Sequence, residues 1–229
     1  MILVMAIGIS VAAPTKSIVG GKHCGMSGAK LPYDAEVEYL GTSGTQYIDT
    51  GIVPTPNTDI DIYCAYVSSI NILTIIGGGN SYNNNEILLA VVRPVNNNGI
   101  VVGKGSGSGT YMSGSTLQYV NQKHRHRISG FSYYFDDTLV ATRPSATLTT
   151  SNSLYLGVAH RNSAPNMSEA FIGNYYSCMV YDNNVLVRDF ISVRFTNEQG
   201  VSEGAMYDRL SGQLFRNAGT GAFIIGPDK

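Results

Sequence analysis

The sequence predicts an all-β domain, an antiparallel sandwich or jelly roll of two sheets, and two observations lead to this prediction. From Thr45 onward, short apolar runs recur between turn signals, and helical periodicity is almost absent. About a dozen short strands at this spacing are typical of two-sheet β-proteins. The 229 residues are 43% hydrophobic and only 14% charged, which excludes an intrinsically disordered chain and allows a buried core.

The strand predicted at residues 58–66 shows the clearest alternation. Ile60 and Ile62 fall on one face, whereas Asp59 and Asp61 fall on the other. The other predicted strands follow in chain order at residues 70–76, 86–95, 99–102, 124–131, 133–135, 138–142, 154–159, 171–181, 185–195 and 213–215.

Two of the predicted hairpins have explicit turn chemistry. Residues 136–137 (Asp-Asp) separate one pair of strands, and residues 182–184 (Asp-Asn-Asn) separate another. Asp and Asn tolerate the left-handed backbone that tight hairpin turns require. The Gly-rich stretch 103–110 lacks the spacing of a phosphate-binding loop, and we predict a flexible loop between strands there.

The N-terminal segment, residues 1–13 (MILVMAIGISVAA), is apolar. A secretory signal requires a basic region before its apolar stretch, and no basic residue precedes this one. The segment is also shorter than the roughly 20 residues that span a bilayer. We expect an extended assembly arm that packs against another chain; the alternative is an edge strand of its own domain. Residues 22–30 are small and Gly-rich, which predicts an arm and linker at 1–30 and a sandwich domain at 31–229. The apolar residues assigned to assembly are Ile2, Leu3, Val4, Ile7, Ile9 and Val11.

Charge and cysteine content exclude several kinds of partner. The chain has 15 basic and 16 acidic residues, and a formal net charge of -1 attracts neither nucleic acid nor an anionic membrane. The three cysteines match no zinc-ligand spacing and are expected to be reduced thiols. A disulfide between Cys64 and Cys178 is left open.

An ordered series of motifs runs along residues 31–229. It comprises Tyr39-Leu40 followed by SGTQYIDTGI at 43–52, YFDDTLV at 134–140, LYLG at 154–157, YSCMVYDN at 176–183, LVRDFI at 186–191, MYDRLSGQLF at 206–215 and GPD at 226–228. Together these motifs resemble concanavalin A-like (LamG-type) modules, a lectin and glucanase fold common in gut bacteria and their phages. Asp137 stands where this family usually has Gly.

The resemblance implies a jelly-roll sandwich of two antiparallel sheets with a concave face and variable loops. Modules of this group occur on secreted bacterial proteins and on phage fibres and capsid decorations, often as glycan-binding or adhesive units. A lectin-like domain behind an apolar arm resembles a virion appendage, such as a head fibre, tail fibre or capsid decoration. We therefore expect a protein of the virion surface that contacts other virion proteins through its arm, forms a homo-oligomer, with a trimer favoured, and displays a face for host-surface or mucosal glycans. The alternative is a secreted bacterial carbohydrate-binding module or a remnant glycoside hydrolase.

The acidic residues do not form the pattern of a hydrolase. A glycoside hydrolase needs two carboxyl groups that flank the scissile bond, and jelly-roll hydrolases typically carry them as Glu-x-Asp-x-Glu on one strand. That spacing is absent, and Asp59 and Asp61 are expected to face solvent. We therefore expect a protein that is not an enzyme.

The segment His124-Arg125-His126-Arg127 places two imidazoles on one side of a strand and two guanidinium groups on the other. Two imidazoles without a third ligand do not make a stable metal site, so we expect no metal and a solvated strand face. On a concave surface, the arginines could bind an acidic sugar or a subunit carboxylate through two hydrogen bonds.

Asn and Tyr residues in loops are the candidate sugar ligands. Amide groups hydrogen-bond sugar hydroxyls and aromatic rings cover the apolar sugar face, and the chain has 15 Tyr but no Trp. The alternative is that these are simply polar loops. No cofactor is expected, and calcium finds little support because no loop is densely acidic. The candidate ligand-binding residues are Tyr82, Asn83, Asn84, Asn85, Asn97, His160, Arg161 and Asn162.

Overall fold

The computed structural model describes residues 31–66, 73–81, 84–92, 99–106, 110–111 and 119–229. The predicted arm and its apolar residues lie outside this part of the chain, so the arm and the boundary at residue 30 stay predictions. The described residues form these strands: β1 (Ala35–Glu36), β2 (Leu40–Ser43), β3 (Ile48–Asp49), β4 (Thr58–Tyr66), β5 (Leu73–Ser81), β6 (Asn84–Val92), β7 (Gly99–Gly105), β8 (Thr110–Tyr111), β9 (His124–Ser129), β10 (Ser132–Phe135), β11 (Thr138–Thr142), β12 (Tyr155–Leu156), β13 (Ala159–Arg161), β14 (Ala164–Pro165), β15 (Ile172–Asp182), β16 (Val185–Thr196), β17 (Ser202–Asp208), β18 (Gln213–Phe215) and β19 (Ile224–Ile225).

The strands form two sheets, which confirms the predicted all-β jelly-roll sandwich of antiparallel sheets. The large sheet has the order β11-β10-β9-β4-β15-β16-β17-β18, with β1 beside β16 and with β2 between β15 and β19. The small sheet has the order β14-β13-β5-β6-β7-β8, with β12 joining β3 to β5. Neighbouring strands are antiparallel except β13, which runs parallel to β5. No helix in the described part of the chain is long and apolar enough to cross a membrane.

Apolar side chains of both sheets meet in one core. In β4, Ile60, Ile62 and Cys64 are fully buried, as the alternation of the sequence predicts. From the small sheet, Ile76 of β5 and Leu156 of β12 belong to the same cluster. Burying one such aliphatic side chain stabilises the fold by about 1.5–3 kcal/mol, so this alternation fixes which face of each strand turns inward.

A second, smaller cluster covers one end of the large sheet on its other side. Ile191, Val193 and Phe195 of β16 are buried there, with Tyr33 and Tyr207 packed against them. Apolar packing therefore covers the outer side of β16 and β17. The outer side of β9 and β4 carries charged side chains instead, among them Arg127 and Asp61.

The predicted hairpin turns are confirmed by the backbone. Asp136 and Asp137 have φ values of 46° and 64°, and Asn183 and Asn184 have values of 50° and 62°. Two successive left-handed residues are the mark of the type I′ turn, whose twist matches that of the flanking strands.

Several predicted strand boundaries are wrong. The single strand predicted at 154–159 is divided into β12 and β13, because Gly157 between them has a φ of 105° that interrupts the extended backbone. The strand β17 is not among the predicted strands. Its sequence, SEGAMYD, has little strand propensity of its own, and full-length pairing with β16 holds it in place.

The Gly-rich stretch at 103–110 is not a loop throughout. Strand β7 extends to Gly105, so Lys104 lies within a strand, where its side chain is only 2% exposed. The question left open for Cys64 and Cys178 is answered as well, because both are free thiols in the core. Burial raises the pKa of each thiol.

Candidate binding face

One side of the large sheet combines charged and aromatic groups. We call the side of β9, β4 and β15 that carries Arg127 and Asp61 the outer face. Directly opposed residues of neighbouring strands share a face, and the register places Tyr134, Arg127, Asp61 and Met179 in one row across β10, β9, β4 and β15. Long side chains from four strands therefore meet on this surface.

Arg125 on this face is held by two carboxylates. Its Nε donates to Asp61 Oδ1 at 2.9 Å and its Nη2 donates to Asp61 Oδ2 at 2.5 Å. Its Nη1 donates to Asp137 Oδ1 at 2.7 Å. The hydrogen bonds with Asp61 raise the pKa of Arg125 above its ordinary value. Asp61 is only 4% exposed, so it does not face solvent as predicted but lies beneath the guanidinium that it binds.

Arg127 has no such partner. Its guanidinium carbon lies 4.2 Å from the ring centroid of Tyr134, in stacking distance. Its Nε is buried without a hydrogen-bond partner, and within the described ranges no carboxylate forms an ion pair with it. Asp61 lies directly opposite Arg127 in the register, but Arg125 already occupies both of its oxygens.

A depression of about 300 Å³ opens beside these arginines. Ser129, Tyr181 and Asn184 line it together with Arg125 and Arg127. A neighbouring depression of about 410 Å³ shares Ser129 and Asn184 with it, so the two are adjacent on the surface. The walls offer hydroxyl, amide and guanidinium groups and one aromatic ring, which are the groups that bind sugars.

A buried ion pair supports one wall of the depression. Lys104 Nζ lies 3.0 Å from Asp59 Oδ1 and donates to the carbonyl oxygen of Gly130 at 2.7 Å. Burial lowers the pKa of Lys104, and the hydrogen bond with Asp59 opposes that shift. This pair connects β7 of the small sheet with β4 of the large sheet.

The two histidines of the segment face the interior, so the predicted solvated strand face is wrong for them. His126 is fully buried, and its Nδ1 lies 2.9 Å from the hydroxyl of Tyr133. His124 Nδ1 lies 2.6 Å from Asp136 Oδ2. Burial, with a contribution from His124, lowers the pKa of His126 to about 3, so His126 is neutral at ordinary pH. The described part of the chain holds no group of three or more His, Cys, Asp or Glu side chains suited to a metal ion.

The predicted loop residues that the structure describes lie on the small sheet, away from this face. The His160 ring stacks on Tyr155 with centroids 4.0 Å apart and hydrogen-bonds Ser153 through Nδ1. Arg161 is buried and forms an ion pair with Glu169 at 2.8 Å, and Asn162 is exposed in a turn.

The remaining predicted ligand residues are only partly described. Asn84 and Asn85 begin β6, and only their backbone positions are described. Tyr82, Asn83 and Asn97 lie outside the described residues. Their role in ligand binding therefore stays a prediction.

The outer face includes residues that the composition of the loops did not predict as ligands. Tyr134, Tyr181, Ser129 and Asn184 are not among the predicted ligand residues. The alternation of β9 indicated which side of the strand the arginines share, but only the register across β10, β9, β4 and β15 brings these side chains together.

Comparisons with known proteins identify no family. No family model matches the sequence, and no curated protein matches it. Similar solved structures include the CBM40 of the Ruminococcus gnavus IT-sialidase, with 14% identity and a TM-score of 0.45 over 65% of this chain and 90% of that one. A heptameric SAP-like pentraxin from Limulus polyphemus matches with 11% identity and a TM-score of 0.48, over 69% of this chain and 79% of that one.

A third similar structure is tailspike protein 2 of the Escherichia coli O157:H7 bacteriophage CAB120. It matches with 10% identity and a TM-score of 0.41, over 72% of this chain and 31% of that one. Similarities this distant transfer no ligand and no activity to this chain.

Proposed function

We propose that this chain is a non-enzymatic adhesive protein that binds a glycan on the outer face of its large sheet. The observation that carries the proposal is the depression of about 300 Å³ beside Arg125 and Arg127. Ser129 and Asn184 supply hydrogen-bonding groups for sugar hydroxyls, and Tyr181 supplies a ring for the apolar side of a sugar.

The carboxylates of this face support binding over hydrolysis. Both oxygens of Asp61 accept hydrogen bonds from Arg125. Asp59 Oδ1 accepts from Lys104 Nζ and from the backbone N–H of Gly130. A glycoside hydrolase needs one carboxyl group to protonate the leaving oxygen and a second to act as base or nucleophile. Carboxylates engaged in this way are poor candidates for either role.

An open, shallow site favours weak binding of single sugars and benefits from several copies. Linking binding sites raises the apparent affinity by about 10²–10⁴ without any new contact, provided that the sites engage together. This fits a homo-oligomer, and we propose a trimer assembled through residues 1–30 on a virion surface, as part of a fibre or capsid decoration. That part of the proposal rests on the sequence resemblance and on the apolar N-terminal segment. The alternative, a secreted carbohydrate-binding module, shares the binding face but not the assembly.

A glycan array probed with the full chain tests the binding part. We expect Tyr181→Ala to weaken binding, because it removes the aromatic side chain of the depression. Tyr155→Ala is the matched control, because it removes the same side chain from the small sheet, where Tyr155 stacks between Tyr47 and His160. Loss of binding with Tyr155→Ala alone would place the site on the small sheet, and silence toward every glycan by a folded protein would refute the proposed function.

Light scattering of the full chain tests the assembly part. We expect Ile7→Asp to shift the protein toward monomers, because a charge would enter an apolar contact. Ser10→Asp adds the same charge at a polar position of the same segment and is expected to leave assembly intact. A wild-type chain that stays monomeric at high concentration would contradict the virion-appendage proposal and favour the secreted module.

A further inference from the structure

We propose that the ligand of this face carries a carboxylate and that Arg127 binds it. The inference rests on the proposed function and names the chemical class of the glycan: an acidic sugar, whose carboxylate belongs to a uronate or to a sialate.

The pairing of charged groups around the depression supports an anionic ligand. Its lining includes two carboxylates, Asp59 and Asp61, and two guanidinium groups, Arg125 and Arg127. Asp61 is neutralised by Arg125, and Asp59 is neutralised by the buried ammonium of Lys104. Arg125 also pairs with Asp137, so three cations stand against three carboxylates, and Arg127 is the one cation among them that pairs with no carboxylate in the described part of the chain.

Arg125 does not share this role. Its Nη1 donates to Asp137, and its Nε and Nη2 donate to Asp61. A ligand at Arg125 would have to displace a carboxylate that is already in place. A ligand at Arg127 displaces none.

The geometry of Arg127 also suits a carboxylate. The Tyr134 ring, whose centroid lies 4.2 Å from the guanidinium carbon, restricts the motion of the Arg127 side chain and reduces the entropy lost on binding. A planar guanidinium binds a planar carboxylate through two parallel hydrogen bonds. The buried Nε has no hydrogen-bond partner among the described residues, so it does not hold the guanidinium to a protein acceptor that a ligand would have to replace.

Neighbouring groups can hold the rest of the sugar. Ser129, Tyr181 and Asn184 line the same depression as Arg127. They supply a hydroxyl group, a phenol and an amide within one small surface, which match ring hydroxyls rather than a second charge. The composition of the depression therefore fits one acidic group on an otherwise neutral sugar.

The test compares acidic sugars with neutral counterparts on the full-length protein. The probes are oligogalacturonate with its methyl ester, and sialyllactose with lactose, so that the two sources of the carboxylate are separate arms. We expect the protein to bind at least one acidic probe and to bind its neutral counterpart at least tenfold more weakly. Arg127→Ala is expected to weaken binding of the acidic probe about tenfold to a hundredfold, the effect of losing hydrogen bonds to a charged group. Arg127→Lys, which keeps the charge but not the fork of donors, is expected to fall between wild type and Arg127→Ala.

The matched control is Arg216→Ala. Arg216 also stacks on an aromatic ring, with its guanidinium carbon 4.6 Å from the centroid of Phe195, but it follows β18 at the far edge of the sheet. We expect this variant to bind the acidic probe like wild type. Circular dichroism and thermal unfolding establish that each variant is folded.

The outcomes separate the inference from the proposed function. Equal binding of acidic and neutral probes, or an unchanged affinity of folded Arg127→Ala for the acidic probe, would overturn the carboxylate inference and leave glycan binding standing. Binding to no glycan at all would overturn both. A nitrogen NMR titration gives a second readout, because the side-chain Nε–H signal of Arg127 should shift with the acidic probe and not with the neutral one.

Discussion

The buried ion pair behind the binding face predicts an asymmetry between its two partners. Lys104 is 2% exposed, and its ammonium lies 3.0 Å from Asp59 Oδ1, 2.7 Å from the carbonyl oxygen of Gly130 and 5.2 Å from the Phe131 ring centroid. Asp59 is 16% exposed and also accepts a hydrogen bond from the Gly130 N–H. Removing the carboxylate therefore leaves a charge stranded in the interior, whereas removing the ammonium leaves a charge near water.

The magnitudes follow from this difference in burial. Asp59→Asn should lower the free energy of unfolding by about 3 kcal/mol, the low end of the range for breaking a buried pair, because Gly130 still accepts from Lys104. Lys104→Met keeps most of the side-chain volume and removes the buried charge, so it should cost about 1 kcal/mol or less. In the Lys104→Met background, Asp59→Asn should be close to neutral.

Denaturant unfolding of the four proteins measures these differences, provided that the m-values agree. Burial already lowers the pKa of Lys104 and Asp59 opposes that shift, so the pKa should fall further in Asp59→Asn. The penalty of that variant should therefore shrink as the pH rises and the ammonium loses its proton. A Lys104→Met variant at least as destabilised as Asp59→Asn would contradict the difference in burial between the two partners.

Three further predictions concern the fold. The pKa of His126 is lowered from 6.5 to about 3, so the stability that neutral His126 contributes should be complete above pH 6.5 and lost as the pH falls toward 3. The free energy of unfolding should change in that window by up to about 1.4 kcal/mol per pH unit. His126→Phe should flatten this slope in acid titrations of unfolding. Ser163 has a φ of 62°, so Ser163→Gly should raise the free energy of unfolding by about 0.5–1 kcal/mol and Ser163→Val should lower it by about 1–2 kcal/mol. Thermal unfolding would detect both changes, and equal stability of the two variants would contradict the left-handed turn. Gly173→Ala should lower the free energy of unfolding by about 1–3 kcal/mol in denaturant experiments, because the new Cβ would collide with the carbonyl oxygen of Ala65 and a ring carbon of Phe171. An unchanged free energy would contradict the close approach of β4 and β15.

The sequence predicts the strands wherever local chemistry decides them. The clean alternation at 58–66 and the residues of the two type I′ turns specify β4, β15 and the hairpins without reference to the rest of the fold. Lys104 and strand β17 show the opposite case. The composition of the Gly-rich stretch predicts a loop, but Lys104 lies in a strand and forms an ion pair with Asp59 of the other sheet. The segment SEGAMYD is a strand because it pairs with β16.

The candidate site is less predictable because it depends on register. The alternation of β9 places His124 and His126 on one side and Arg125 and Arg127 on the other, but it does not determine which pair faces the interior. The interior accepts the imidazoles because His126 can be buried in its neutral form beside the Tyr133 hydroxyl, whereas a guanidinium stays charged. Which arginine is left unpaired follows from the contacts of Asp61 across the sheet, and no local pattern contains that information.

Backbone amide shift mapping of the full-length protein, titrated with the acidic oligosaccharide that it binds best, locates the binding site on one sheet or the other. We expect shifts that cluster on β9, β4 and the end of β15, around Arg127, Ser129 and Tyr181. Shifts confined to β12 and β13 around His160, with the outer face of the large sheet unchanged, would contradict that location.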